Sequence, residues 1–349
     1  MADDLKAFVG DVMGASFSRV ESDYGDGFVR LRVSEAQRRQ AKQDIRCVED
    51  ALIELLRNAR DAHARTIFVA TARSGALRTV TVIDDGDGIP HHMHERVFEP
   101  RVTSKLDTPV DDEWGVHGRG MALYSIAQNA HEASVIASSP GQGTAMRVVF
   151  RIGDIAERKD QSTLPRLIAG ENATWTLGAG PHNMARAAAA FSLSTHETCR
   201  LYWGSPAEVA QALRAHGARL IERGLSAGLA GRFAMCTDAD SLVDVAAATG
   251  LSVSRRSAYR ALKGECAVLR PLFDELTDAA RARRANHAPE PCDMRGLKIA
   301  ADDMDAFVSA LNQAWEGLAA SYYLESSVEP SVRVTRDGIH VVFPVAKRL

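Results

Sequence analysis

Between residues 35 and 62 the apolar positions Ile45, Val48, Leu52, Leu55 and Leu56 recur at helical spacing, with no proline or glycine between them. This predicts one long amphipathic helix, capped at its start by Ser34. Just before it, residues 28–33 alternate apolar and basic side chains, as a half-exposed strand does. After it, two β-branched runs, 66–71 and 79–83, flank Ser74-Gly75 and predict a hairpin. A glycine-rich turn follows at 84–90, then a short helical piece at 91–99. A polar loop at 101–118 carries Pro109, Asp111 and Asp112, and a helix is expected at 119–130. Strands at 134–139 and 144–152 are joined by Pro140-Gly141-Gln142-Gly143. The expected fold is α+β: a helix layer over an antiparallel-leaning mixed sheet, forming a domain over 1–155.

The pattern changes beyond that point. Residues 156–182 are expected to be a linker, and 183–349 a mainly helical, partner-binding domain that ends in a hairpin around Asp337-Gly338. Within it, 241–264 fits a helix–turn–helix. Gly250 stands at the turn, and the second helix carries Arg255, Arg256 and Arg260, with Lys263 just beyond. An ordinary helical hairpin with a solvated basic face has the same pattern. The arginines add DNA as an expected partner, since they suit phosphates and base edges.

Composition narrows the class without choosing a function. The chain has 349 residues, 46% hydrophobic and 25% charged, so two globular domains are expected. A formal net charge of −3 excludes polyanion binding by overall charge, leaving only a local basic patch. The five cysteines contain no C-x-x-C pair, which excludes a zinc ribbon or a disulfide framework and fits buried thiols in a reducing compartment. No apolar run is long enough to span a bilayer, and the first ten residues hold Asp3 and Asp4 with no signal core. A cytoplasmic protein without membrane contact is expected.

Four short stretches carry candidate chemistry. Glu54, Asn58 and Asp61, spaced by four and three, share one helical face. Such a trio by itself suits a solvated surface. Here it is embedded among Ile53, Leu55, Leu56 and Ala59, where a carboxylate beside an amide suits Mg²⁺ and a water. Asp84-Asp85-Gly86-Asp87-Gly88-Ile89-Pro90 follows a strand. Gly86 and Gly88 allow a tight turn and close approach of a ligand ring, and Asp84 can accept from an exocyclic amine. Gly115-Val116-His117-Gly118-Arg119-Gly120 opens a helix at Met121 and can present backbone N–H groups to phosphate. Gly141-Gln142-Gly143-Thr144 enters the last strand, where Thr144 can support the aspartate.

In order and spacing these stretches resemble the four nucleotide-binding boxes of the GHKL superfamily, which includes gyrase B, the large heat-shock chaperone, histidine kinases and MutL. The resemblance covers about 35–152, and the first box, residues 54–62, is similar to the MutL and gyrase form. It implies a Bergerat-type pocket for ATP and Mg²⁺. Glu54 would be the general base, Asn58 the metal ligand and Asp84 the adenine-reading aspartate. Gly86, Gly88 and Ile89 would lie at the adenine edge, with Thr144 behind it. Gly115, His117, Gly118, Gly120 and Met121 would form the phosphate lid. The stretch 97–100 resembles histidine kinases and 103–105 resembles MutL, so Lys105 is expected either to meet phosphate or to be a solvated loop lysine. The resemblance also implies lid closure coupled to homodimerisation or to a second domain.

His63, inside the pocket helix, is the first histidine in the sequence, so no phosphoacceptor histidine precedes the pocket. His91, His92 and His94 have poor spacing for a shared helical face and read as surface residues. The leading expectation is a slow Mg²⁺-dependent ATPase that acts as a nucleotide-driven switch on a protein partner or DNA. The alternative is a protein kinase of histidine-kinase-like or anti-sigma type acting in trans.

Overall fold

The computed structural model describes residues 20–104, 110–112, 115–117, 120–157, 160–170, 174–286, 301–322, 324–335 and 338–346. It divides into two compact units, Met1–Ala282 and Arg283–Leu349.

The first unit opens with a hairpin of β1 (Val20–Gly25) and β2 (Phe28–Leu31), turned by Asp26 and Gly27 at positive φ. Ser34 then caps α1 (Glu35–Asp44), its hydroxyl accepting from the Gln37 N–H while Gln37 reaches back to the Ser34 N–H. The single helix expected over 35–62 is two helices. Ile45 is extended and Cys47 bridges to Ala156, so the chain steps sideways before α2 (Val48–Asp61) begins. The break is built by Asp50, whose carboxylate accepts from the N–H groups of Arg46 and Cys47 and so starts a new helix. Ile45 and Val48, on either side of the step, both enter the core.

The central sheet contains β3 (Thr66–Ser74), β4 (Leu77–Asp84), β8 (Glu132–Ser138), β9 (Thr144–Arg151) and β12 (Arg200–Gly204). Their order across the sheet is β12-β3-β4-β9-β8. All neighbours are antiparallel except β12, which runs parallel to β3. The expected hairpin at Ser74-Gly75 is present, with Gly75 at φ +58°.

Strand alternation decides the layering. Ile67, Val69, Val80, Val82, Met146, Val148, Phe150 and Leu201 point to one face, into a core shared with α2, α3 (Ala122–Asn129) and α4 (Met184–Thr195). Phe68, Ala70, Ile83, Ala145 and Tyr202 point to the other face. There they pack on α5 (Pro206–Glu222), α6 (Gly228–Ala234), α7 (Ala239–Ala247) and α8 (Arg255–Leu262). The chain then returns to the first core through Leu272, Leu276 and Ala280 of α9 (Leu272–Asn286). The architecture is α+β with helices on both faces, where one helix layer was expected.

The expected division into 1–155, a linker at 156–182 and a helical domain at 183–349 does not match the compact units. The reason is the free edge of β3, which takes up β12 and draws the helices beyond it onto the sheet. The segment expected to be a linker is packed as well. Gln161 donates to Glu49 and accepts from the Met184 N–H, and Leu167 is buried. Leu167 begins β10 (Leu167–Ala169), which pairs antiparallel with β11 (Trp175–Leu177). Over 241–264 the chain forms α7 and α8, with Gly250 at φ +80° between them, an arrangement that a helix–turn–helix and an ordinary helical hairpin share.

In the second unit, α10 (Ala301–Tyr322) places Trp315 on Phe343 with ring centroids 4.7 Å apart. A hairpin, Ser331–Thr335 with Gly338–Val342, forms where the sequence predicts one. No helix among the described residues is long and apolar enough to cross a membrane.

Candidate functional site

A cleft of about 570 Å³ lies between α2, the end of β4, the turn after it, residues 102–104 and Gly120. Glu54, Asn58 and Asp61 all line it, so their shared helical face is the cleft wall and not a solvated surface. Their neighbours Leu52, Leu55, Leu56 and Ala59 are buried and anchor α2 against the sheet. Glu54 accepts a hydrogen bond from the Arg57 guanidinium at 2.6 Å. Asp61 is engaged by Arg60 at 3.1 Å. The side-chain nitrogen of Asn58 is buried with no hydrogen-bond partner among the described residues. An orphaned amide on a cleft wall is costly unless a ligand meets it, and rotation about χ2 can present either its oxygen or its nitrogen.

Asp84 sits at the end of β4, at the floor of the cleft, only 9% exposed. Burial pushes its carboxyl up to about 7, and the neighbouring charges of Asp85 and Asp87 add to the rise. The N–H groups of Gly86 and Thr144 donate to it and oppose the rise. The result is a buried acceptor held in a fixed direction.

The glycines beside it are needed for a reason the sequence did not reveal. A Cβ on Gly86 would stand 2.5 Å from the Ala62 carbonyl oxygen, and one on Gly88 would collide with that of Ser139. Gly143 has the same relation to the Asp84 carbonyl. These glycines therefore let three backbone segments close on one another, while Gly88 also lines the cleft. Ser138 ties the segments together: its hydroxyl accepts from the Ile89 N–H at 2.7 Å and donates to the Gly143 carbonyl at 2.8 Å. Ser138 belongs to none of the four stretches that carry candidate chemistry in the sequence. The available signal was a small polar residue at the last position of a strand facing the glycine turn. Thr144 is buried, pairs with Asp84 across β4 and β9, and lies 3.1 Å from the Ser138 hydroxyl.

The expected mobile loop is partly built into the fold. Val102–Thr103 forms β5, paired with β2, and Arg101 accepts from the Leu31 N–H while its own N–H donates to Gly120. Gly120, at φ +68°, lines the cleft. Met121 is the N-cap of α3, with no side-chain cap bond. Gly115 and His117 fall in strand β7 (Gly115–His117), paired with β6 (Val110–Asp112). Lys105, Gly118 and Arg119 lie outside the described residues. His91 and His92 are exposed, as expected of surface residues, and His94 meets the Ile89 carbonyl.

The cleft's charge is one-sided. Asp26, Glu54, Asp61, Asp84 and Asp87 line it, and no lysine or arginine does so among the described residues. A polyphosphate entering such a cleft needs a divalent cation to offset like-charge repulsion. The Asn58 amide oxygen is a donor of the kind Mg²⁺ takes, with the Glu54 carboxylate beside it for a water, so the residues fit the metal. The apolar walls, Leu55, Val82, Ile89, Leu123 and Met146, suit a flat ring above Asp84.

Residues 43–154 match the family model described as histidine kinase-, DNA gyrase B- and HSP90-like ATPase. They form a GHKL-type ATPase domain. The curated relatives include MutL DNA mismatch repair proteins. That of Thermus thermophilus is 43% identical over 86 residues, which cover 24% of this chain and 15% of the relative. That of Halalkalibacterium halodurans is 38% identical over 112 residues, covering 30% and 17%. The chain thus spans under a fifth of the length of these relatives. Among solved structures, full-length ShkA in complex with AMPPNP is 18% identical and covers 58% of this chain and 46% of its own, with a TM-score of 0.23. β3, β4, β8 and β9 with the α2–α3 layer fall within the matched stretch, and β12 with α4–α9 lies outside it.

Proposed function

We propose that this chain is a slow Mg²⁺-dependent ATPase in the cytoplasm whose nucleotide state switches its second helix layer. The observation that carries this reading is the placement of Glu54 and Asn58 one helical turn apart on the cleft wall, with the buried acceptor Asp84 at the floor. In this reading Asp84 accepts from the adenine amine. Asn58 would hold Mg²⁺, which would offset phosphate charge. Glu54 takes a proton from the attacking water as the water oxygen bonds to the terminal phosphorus and the bond from that phosphorus to the bridging oxygen breaks, releasing ADP and inorganic phosphate. The start of α3, directly after Gly120, would present backbone N–H groups to the phosphates. The test is phosphate release from labelled Mg²⁺-ATP, with and without candidate partner proteins and with solution mass followed in the same samples. Free phosphate, together with nucleotide-dependent homodimerisation, is expected. Label transferred to a protein would make the chain a kinase.

The switch is supported by one contact between layers. The turn that carries Gly143 and Thr144 also offers the Gln142 carbonyl to the Leu229 N–H of α6, at 3.2 Å. A Cβ on Gly228 would stand 2.7 Å from that carbonyl oxygen. Gly228→Ala is therefore expected to displace the turn and weaken ATP binding about three- to tenfold, although the residue lies outside the cleft. Gly224→Ala is the control. Gly224 has a similar positive φ but faces open space, so the same backbone strain should leave affinity unchanged. Equal affinities for the two variants would remove this contact from the switch.

The partner surface we assign to α8. Arg256, Tyr259 and Arg260 are exposed along it, with the Lys263 ammonium 4.6 Å from the Tyr259 ring centroid, while Ala258 and Ala261 hold the helix to the core. Arg255 is paired with Asp240 at 2.9 Å and contributes less free charge than the sequence suggests. A basic, aromatic helix face after a glycine turn suits duplex DNA. Anisotropy of a labelled duplex should show binding that weakens as salt rises. The double variant Arg256→Ala/Arg260→Ala should bind about tenfold more weakly. Absence of binding at low salt would leave a protein as the partner.

A further inference from the structure

Arg57 is buried on the middle of α2, its side chain 3% exposed, and its guanidinium donates to Glu54 at 2.6 Å. Glu54, 21% exposed, lines the cleft; Arg57 does not. Among the described residues the arginine therefore stands behind the carboxylate, on the protein side, and not on the cleft wall.

The ion pair with Glu54 is by itself weak evidence of a stabilising role. A helix pair three residues apart contributes only a few tenths of a kcal/mol on a surface, and burying a guanidinium carries a desolvation cost that an apolar side chain of similar volume avoids. Arginine does supply direction. Its fork is planar, permanently charged and fixed in geometry. Glu54 has three rotatable side-chain bonds, and an anchor on one carboxylate oxygen removes most of that freedom and aims the other oxygen at the cleft.

We propose that Arg57 is a positioning residue that sets the Glu54 carboxylate toward the attacking water. This rests on the reading of Glu54 as the base. Arg57 touches neither nucleotide nor metal. Its contribution is to keep Glu54 within the narrow range of positions from which proton transfer is efficient, and misplacement of a reacting group by about 1 Å can lower a rate about 100-fold. It also fixes which oxygen of Glu54 is available.

The experiment measures steady-state turnover, binding of a fluorescent ATP analogue and thermal unfolding for Arg57→Lys, Arg57→Met and Glu54→Gln in the full chain. Arg57→Met should lower kcat about 100-fold, and Arg57→Lys, which keeps the charge and loses the fork, about tenfold. For both, KM and analogue affinity should stay within about twofold. Should Arg57→Met fail to fold, Arg57→Lys decides by the same split between kcat and KM. Unchanged kcat in the Arg57 variants, with turnover still lost in Glu54→Gln, overturns the positioning role and leaves Glu54 as the base. A fall in affinity and unfolding temperature that parallels the fall in kcat makes Arg57 merely structural and overturns it too. A rise in kcat would mean that Arg57 restrains Glu54, the reverse of the proposal. Turnover retained in Glu54→Gln would remove the base itself.

Discussion

Glu54→Gln should bind Mg²⁺-ATP about as tightly as the wild type and lose turnover by a factor of about 10²–10⁴, the usual contribution of a positioned general base. The substitution is nearly isosteric. The amide keeps an oxygen that can accept from the Arg57 guanidinium, so α2 and the cleft wall should hold their shape. What disappears is the ability to accept a proton from water. The effect should therefore fall on kcat and spare KM. Phosphate release together with equilibrium binding of an ATP analogue checks this. If the variant turns over at the wild-type rate, Glu54 is not the base. If it loses binding along with turnover, Glu54 is part of the ligand set and not of the chemistry.

Asp84→Asn should move two properties in opposite directions. The new side chain retains one oxygen for the Gly86 N–H but places an amide donor where the second carboxylate oxygen stood. An adenine amine would then meet a donor. Loss of a hydrogen bond to a charged group corresponds to about 1.5–3 kcal/mol, a drop in ATP affinity of roughly 10- to 150-fold. The nucleotide-free protein should become more stable at pH 8. In the wild type the Asp84 carboxyl is raised from 3.8 to about 7 by burial. The folded form therefore holds a proton that the unfolded chain releases near pH 4. Between those values folding binds more protons than the unfolded state does, so stability falls as pH rises through about 4 to 7. With roughly three pH units between the two values, at ~1.4 kcal/mol each, the penalty at pH 8 is on the order of 4 kcal/mol. The uncharged variant carries no such penalty. Denaturant unfolding at pH 5 and pH 8 should show the wild type losing stability between the two, and Asp84→Asn losing less. Parallel losses in both proteins would mean that Asp84 is ionised throughout at no cost. Undiminished ATP binding by the variant would take Asp84 out of the adenine site.

What the sequence determined by itself was mostly local. The 3.6-residue period placed helix over the stretch that holds α1 and α2 without showing the step between them, β-branched runs around Ser74-Gly75 placed the β3–β4 hairpin, and Ser34 placed a helix start. Each follows from interactions between residues a few positions apart. The trio Glu54, Asn58 and Asp61 was legible for the same reason, since a helical face is written in spacings of three and four. The glycine turn was legible as a turn, but the contacts that require its glycines were not. Those contacts are with Ala62 and Ser139, residues that only the fold brings near.

Tertiary structure decided the rest. The step at Ile45–Cys47 depends on a bridge from Cys47 to Ala156, more than a hundred residues away. The second helix layer depends on β12 reaching the free edge of β3. Strands apolar on both faces ask for cover on both sides, but a period of two cannot say which helices will supply it. Two features of the site were settled in the same way. Burial of Asp84 among backbone segments from β9 and the glycine turn sets its proton affinity. The packing of α2 against the sheet puts Arg57 behind Glu54 and leaves Glu54 facing the cleft. Helical spacing brings two charges together, but which of them is buried depends on what the rest of the chain lays against that helix.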